Sequence, residues 1–187
     1  EDAARTQSSS TSAKKNEVSS AREMRLDKKS YRYGRPLPRA GLIEFEINIT
    51  RGSGRPLRLL STENQLGFKV SLDTKHRLLA TRKLPGRPVK TIIAGGQIAL
   101  DVNKWHKVII EYGAGNDRIV VDGIVKSQRS VPYFTSSAYG NLVLNPDKQK
   151  AAIRIRRFRV QSWFDLLKAQ LDNHMRSHNP RKAFSVC

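Results

Sequence analysis

The stretch Gly41-Leu42-Ile43-Glu44-Phe45-Glu46-Ile47-Asn48-Ile49-Thr50 decides the fold. Ile43, Phe45, Ile47 and Ile49 alternate strictly with Glu44, Glu46, Asn48 and Thr50. Successive side chains of a strand point to opposite faces, so this period of two predicts a strand with one apolar face against a core. The polar set is expected on a solvated face, with Asn48 pointing outward. Reading outward from here, Arg51-Gly52-Ser53-Gly54 is a turn and Leu57 to Leu60 resumes a strand.

The same alternation recurs downstream. Phe68, Val70 and Leu72 alternate with Lys69, Ser71 and Asp73, and Arg77 to Thr81 returns across the Asp73-Thr74-Lys75-His76 turn. A proline and glycine loop over Lys83 to Pro88 precedes a short strand at Thr91 to Ile93 and a turn at Gly95-Gly96. Trp105 to Tyr112, the turn Gly113 to Asp117 and Arg118 to Val121 read as a β-hairpin ending at Asp122-Gly123. Gly140 to Leu144 and Ala151 to Val160 complete the strands. In the last of these, Ile153 and Ile155 have the opposite parity to Phe158 and Val160. A bulge at Arg156-Arg157 restores a common face and is expected there.

From Trp163 the period changes to three and four, through Leu167, Leu171 and His174. Ser162 and Asp165 supply a helix-start pattern, and a helix of about three turns ends before Asn179-Pro180. Residues 1–40 form an extended or disordered basic arm: the first 21 are rich in serine, threonine and alanine, and the rest are basic and broken by Pro36 and Pro38. Three parts follow: the arm 1–40, a β-sandwich over 41–163, and a helix and tail over 164–187. Short turn-bounded strands with almost no helix between them predict an all-β, antiparallel two-sheet sandwich.

Family resemblance enters at the strands just quoted. Gly41 to Ile47, Leu66-Gly67-Phe68-Lys69-Val70-Ser71-Leu72, Trp105 to Tyr112 and Arg118 to Gly123 resemble the laminin G / concanavalin A-like jelly roll. In that superfamily a W-H-x-V strand commonly turns into a strand ending V-D-G, and Ile153 to Val160 matches its closing I-R-x-F-x-V strand. The resemblance covers about residues 41–163. Its thrombospondin N-terminal-like branch, which binds heparin through surface arginines and lysines, is similar in charge and outline. Two departures stand out: the disulfide near the end of the domain in those relatives is missing, and no calcium-type cluster of aspartates is evident.

Charge bounds the function. The 187 residues carry 35 Lys and Arg against 16 Asp and Glu, a formal charge of +19. Residues 41–163 hold 21 of these cations and 9 of the acids, so the excess belongs mostly to the predicted sandwich. Such a domain draws polyanions by steering and counterion release. The candidate anion-binding residues fall in three clusters: Arg51, Arg55 and Arg58; Arg77, Arg82, Lys83 and Arg87, with Lys90; and Arg154, Arg156, Arg157 and Arg159. Arginine's planar fork suits sulfate and phosphate.

Catalytic signatures are not legible. Glu44 and Glu46 lack the third acid of the E-x-D-x-x-E glycosidase pattern, and no P-loop, G-x-G-x-x-G or Ser-His-Asp pattern occurs. His174 and His178, four apart, lack an H-E-x-x-H glutamate, and His106 reads as a core or boundary residue with a satisfied nitrogen. No cofactor or metal is expected. Cys187 is the sole cysteine, so no intramolecular disulfide can form. No apolar run is long enough to span a membrane, and the first residue, Glu1, suggests processing or a start within a longer protein. Asn48-Ile49-Thr50 is an N-glycosylation sequon.

The expectation is a non-catalytic module that binds an anionic polymer, first a sulfated glycan, in an extracellular setting. The alternative is a structural subunit of a ribonucleoprotein or virion assembly, with RNA as the polyanion and protein neighbours around the arm and helix.

Overall fold

A computed structural model describes residues 23–51, 54–63, 68–83, 90–92, 98–113, 115–130 and 139–177. The expected loop Lys83 to Pro88 beyond its first residue, Arg87, the Gly95-Gly96 turn, His178 and Cys187 lie outside them. The strands are β1 (Met24–Asp27), β2 (Tyr31–Leu37), β3 (Gly41–Arg51), β4 (Leu57–Thr62), β5 (Phe68–Leu72), β6 (Arg77–Lys83), β7 (Lys90–Ile92), β8 (Ile98–Ala99), β9 (Trp105–Tyr112), β10 (Asn116–Val121), β11 (Ile124–Ser130), β12 (Tyr139–Leu144) and β13 (Lys150–Ser162). One helix, α1 (Trp163–Ser177), follows.

The strands form two antiparallel sheets. One is six-stranded in the order β1-β13-β3-β9-β10-β11; the other runs β2-β12-β4-β5-β6-β7, with β8 also paired to β6. The apolar set of β3 is buried between the layers together with Val108, Ile110, Ile153, Ile155 and Phe158 of its own sheet. Leu57, Phe68, Val70, Leu72, Leu78, Leu142 and Leu144 meet them from the other. Rings cross the gap: Tyr33 lies 6.0 Å from Phe158, and Phe68 lies 5.3 Å from Tyr112. Burial of this continuous apolar layer is the main force holding the sandwich together.

The predicted bulge is present. Register between β13 and β3 shifts between Arg156 and Arg159, and Arg157 has a φ of 52°. The extra residue keeps Ile153, Ile155 and Phe158 on one face. The Trp105 to Val121 hairpin pairs Ile110 with Ile119. At the next turn Asp122 and Gly123 both have positive φ, 52° and 81°, as a tight two-residue hairpin requires. Gly41 is needed for close approach, because a Cβ there would sit 2.1 Å from the Gln161 carbonyl oxygen.

Two expectations are corrected here. Residues 24–37, assigned to an arm, are edge strands of the two sheets: β1 pairs with β13 and β2 with β12. Met24, Leu26 and Leu37 supply buried side chains, enough to fasten a short edge strand, and Pro36 is tolerated because an edge needs no donor on its free side. Asn48 does not point into solvent; it is 2% exposed, since its central strand lies between β13 and β9 and their side chains close over it. An accessible glycosylation site in the folded domain is therefore ruled out at Asn48.

Candidate anion-binding face

Strand order brings the outward side chains of β13, β3 and β9 side by side. Glu44, Glu46 and Asn48 of β3 stand opposite Arg159, Arg156 and Arg154 of β13. The solvated glutamate face expected from sequence is a charge lattice instead. Glu44 accepts hydrogen bonds from Arg159 and lies 3.0 Å from the Lys107 ammonium. Glu46 accepts from Arg156 Nε and Arg157 Nη1, both at 2.6 Å. Farther along, Arg118 pairs with Glu111. Arg156 also lies 4.0 Å and Arg154 5.3 Å from the Trp105 ring centre, in cation–π range.

The lattice holds its carboxylates ionised. Desolvation opposes the charge on Glu44, but Arg159 and Lys107 outweigh it and hold its pKa below the usual range. Desolvation likewise opposes Glu46, and Arg156 and Arg157 outweigh it. With two cations to each glutamate the region retains positive charge, borne at its rim by Arg157, 72% exposed, and by Arg159 and Lys107 at about half exposure.

At the other end of β13 the lattice gives way to a cleft of about 260 Å³ lined by Arg25, Asp27, Thr50, Arg154 and the β13 run from Lys150 to Ile153. On this outer face the small Ala152 side chain sits between the long side chains of Lys150 and Arg154. Arg25 stands opposite Arg154, and Asp27 opposite Lys150, in the ladder. Arg25 and Lys150 are exposed and form no ion pair among the described residues, while Arg154 reaches only Glu23, at 3.7 Å. Thr50 Oγ1 donates to the Ala152 carbonyl at 2.7 Å, which leaves its oxygen free to accept. Arg51, exposed at the end of β3 and also without an ion pair among the described residues, stands opposite Ala152.

The predicted clusters are dispersed by the fold. Arg154, Arg156, Arg157 and Arg159 share one face, but the last three are spent on glutamates. Arg58 pairs with Asp147 at 3.4 Å and Arg77 with Asp73; Arg55 is exposed and engaged. Arg82 is a correction: its side chain is wholly buried, 2.8 Å from the equally buried Asp117, and cannot meet a surface polyanion. Burial pushes Asp117 upward while Arg82 and the Gly113 N–H pull the other way. Lys83 begins the end of β6 that leads outside the described residues. The cleft cations Arg25 and Lys150 were not singled out from sequence, and no periodic signal marks them.

His106 is the satisfied core residue expected. It is 4% exposed, its Nε2 accepts from the Asp101 N–H at 2.9 Å, and its Nδ1 lies 2.8 Å from Asp122. Asp122 thereby ties the W-H and V-D-G segments together, accepting from the Lys107 N–H as well. Among the described residues no group of three His, Cys, Asp or Glu side chains converges as a metal site would. No described helix is long and apolar enough to cross a membrane.

No protein-family model matches the chain, and no curated protein matches its sequence. Solved structures do match. A mutant of HCR/D is similar at 16% identity over 66% of this chain and 34% of that one, with a TM-score of 0.52. A native heptameric SAP-like pentraxin from Limulus polyphemus is similar at 14% identity over 70% and 68%, with a TM-score of 0.50. The shared fold is an antiparallel two-sheet jelly-roll sandwich. Carbohydrate binding module CBM66 from Bacillus subtilis also aligns, at 16% identity over 76% and 96%, with a TM-score of 0.49. The chain spans about a third of the HCR/D chain, and at such identities the likeness concerns fold alone.

Proposed function

We propose that this chain is a non-catalytic glycan-binding module of laminin G-like type that holds sulfated polysaccharide on the outer face of its six-stranded sheet. The cleft at the end of β13 carries the reading: Arg25 and Lys150 stand there without an ion pair among the described residues, beside Arg154 and the Thr50 hydroxyl, with Asp27 the one carboxylate on the lining. Sulfate oxygens would accept from these donors in charge-assisted hydrogen bonds. Asp27, on the same lining, would accept from sugar hydroxyls, which a sulfated sugar presents next to its sulfates. The surplus cations Arg157, Arg159 and Lys107 extend the positive track along the sheet, so a polymer would engage better than a single sugar.

The test is a competition titration of heparin against structured RNA at physiological salt. Saturable binding with a preference for heparin is expected. Preference for RNA, or non-saturating binding of both, would overturn the glycan reading in favour of a scaffold that contacts RNA within an assembly.

A further inference from the structure

α1 leaves the sandwich with an apolar stripe uncovered. Its start is fixed: the Trp163 N–H donates to the Ala40 carbonyl, and Ser162 Oγ accepts from the Asp165 N–H at 3.0 Å as an N-cap. Past the first turn it stands in solvent, for every residue from Leu167 to Met175 is exposed. Phe164, Leu167, Leu171 and Met175 are 76%, 60%, 58% and 63% exposed, and their spacing of three, four and four puts them on one face. Leu167 does not pack back on the sandwich. A helix of 15 residues with so little tertiary support is marginal in water and calls for a partner.

The order of side chains along the helix is self-complementary. Turned end for end about a point near residue 170, the stripe matches itself, with Phe164 against Met175 and Leu167 against Leu171. The flanking charges also match: Lys168 of one copy falls opposite Asp172 of the other, twice over. Both lie on the same flank of the stripe, and like flanks meet only when two helices run antiparallel; side by side and parallel, this flank would meet Gln170 and His174. A membrane surface fits less well, because interfacial helices carry a basic polar face and this helix has no cationic excess, with Asp165 and Asp172 against Lys168 and Arg176.

We propose that α1 is a self-association element that pairs antiparallel with α1 of a second copy in a two-fold dimer. A stripe from residue 164 to 175 is only about 17 Å long, so the pairing is weak and reversible. It sets two glycan-binding faces on one particle, and a long polysaccharide would then gain by avidity.

Sedimentation equilibrium of the full chain under reducing conditions, which exclude a Cys187 disulfide, tests this across roughly a hundredfold range of concentration. The mass should climb from 21.1 kDa toward twice that value. Leu167→Glu with Leu171→Glu should hold it at the monomer with an unchanged far-UV spectrum for the strands. Lys168→Asp alone should weaken association roughly tenfold, and adding Asp172→Lys should restore it. A monomer at every concentration, a dimer indifferent to these charge reversals, or a monomer that binds phosphatidylserine vesicles through the same leucines would overturn the proposal. Heparin titration of the monomeric double variant separates the two readings, since one-site binding there survives loss of the dimer.

Discussion

The two ends of β13 carry the same kind of residue and do different things. From Arg156 to Arg159 every arginine lies against a glutamate of β3; at the other end Lys150 borders a cleft without an ion pair among the described residues, and Arg154 reaches only Glu23. The difference is made by the partner strand. β3 presents Glu44 and Glu46 opposite one end, and at the other end Asn48 and Arg51. Formal charge in a sequence is therefore a poor measure of charge available to a ligand. What counts is whether the neighbouring strand has already supplied the anion.

Arg82 is the extreme of that contrast and gives the largest expected effect. Arg82→Ala leaves Asp117 buried without its counter-ion, and breaking such a pair costs about 3–5 kcal/mol. Chemical denaturation should show a large loss of stability; a loss below about 1 kcal/mol would mean that water relaxes into the site. Next comes the cleft. Arg25→Ser with Lys150→Ser should lower heparin affinity by roughly tenfold to a hundredfold, as expected for losing two charge-assisted hydrogen bonds, with stability almost unchanged. The lattice end should respond the other way. Arg156→Ser with Arg159→Ser uncovers Glu44 and Glu46, so denaturation should register about 0.2–1 kcal/mol per lost pair while heparin affinity falls less than in the cleft variant.

Acid gives the smallest and most diffuse effect. Glu44, Glu46 and Asp122 titrate below their ordinary range in the folded state. Their contribution is complete above the unfolded carboxylate pKa of about 4 and is lost as pH falls through the lower folded values. Asp117, pushed upward, works in the opposite sense and trims the loss. The urea midpoint should drop between neutral pH and the acid side of that window, and Glu44→Gln with Glu46→Gln should flatten the drop. An unchanged midpoint would mean that the lattice adds nothing to folding.

Legibility in the sequence followed periodicity. β3, β5 and β9 are strands with one face on the core, and alternation marks them residue by residue. The bulge at Arg156-Arg157 was readable because a parity break between Ile155 and Phe158 has few other remedies. β11 gave no signal, being an edge strand whose side chains are nearly all exposed, so no alternation is imposed on it. β1 and β2 hid within a basic stretch because edge strands bury only Met24, Leu26 and Leu37 along them. α1 was placed by its start signal and runs to 15 residues, about a turn beyond expectation. The cleft could not be read at all. It depends on Arg25, Thr50 and Ala152 meeting across three strands, and on Glu46 and Arg156, 110 positions apart, folding together so that one neutralises the other.

Salt-dependent heparin titration of the two β13 variants weighs unpaired cations against the count of arginines. Arg25→Ser with Lys150→Ser should lower both the affinity and the steepness of its salt dependence, while Arg156→Ser with Arg159→Ser should leave the larger part of both intact. The reverse order, with the lattice variant losing binding and the cleft variant keeping it, would contradict the claim that unpaired cations, and not the count of arginines, make the site.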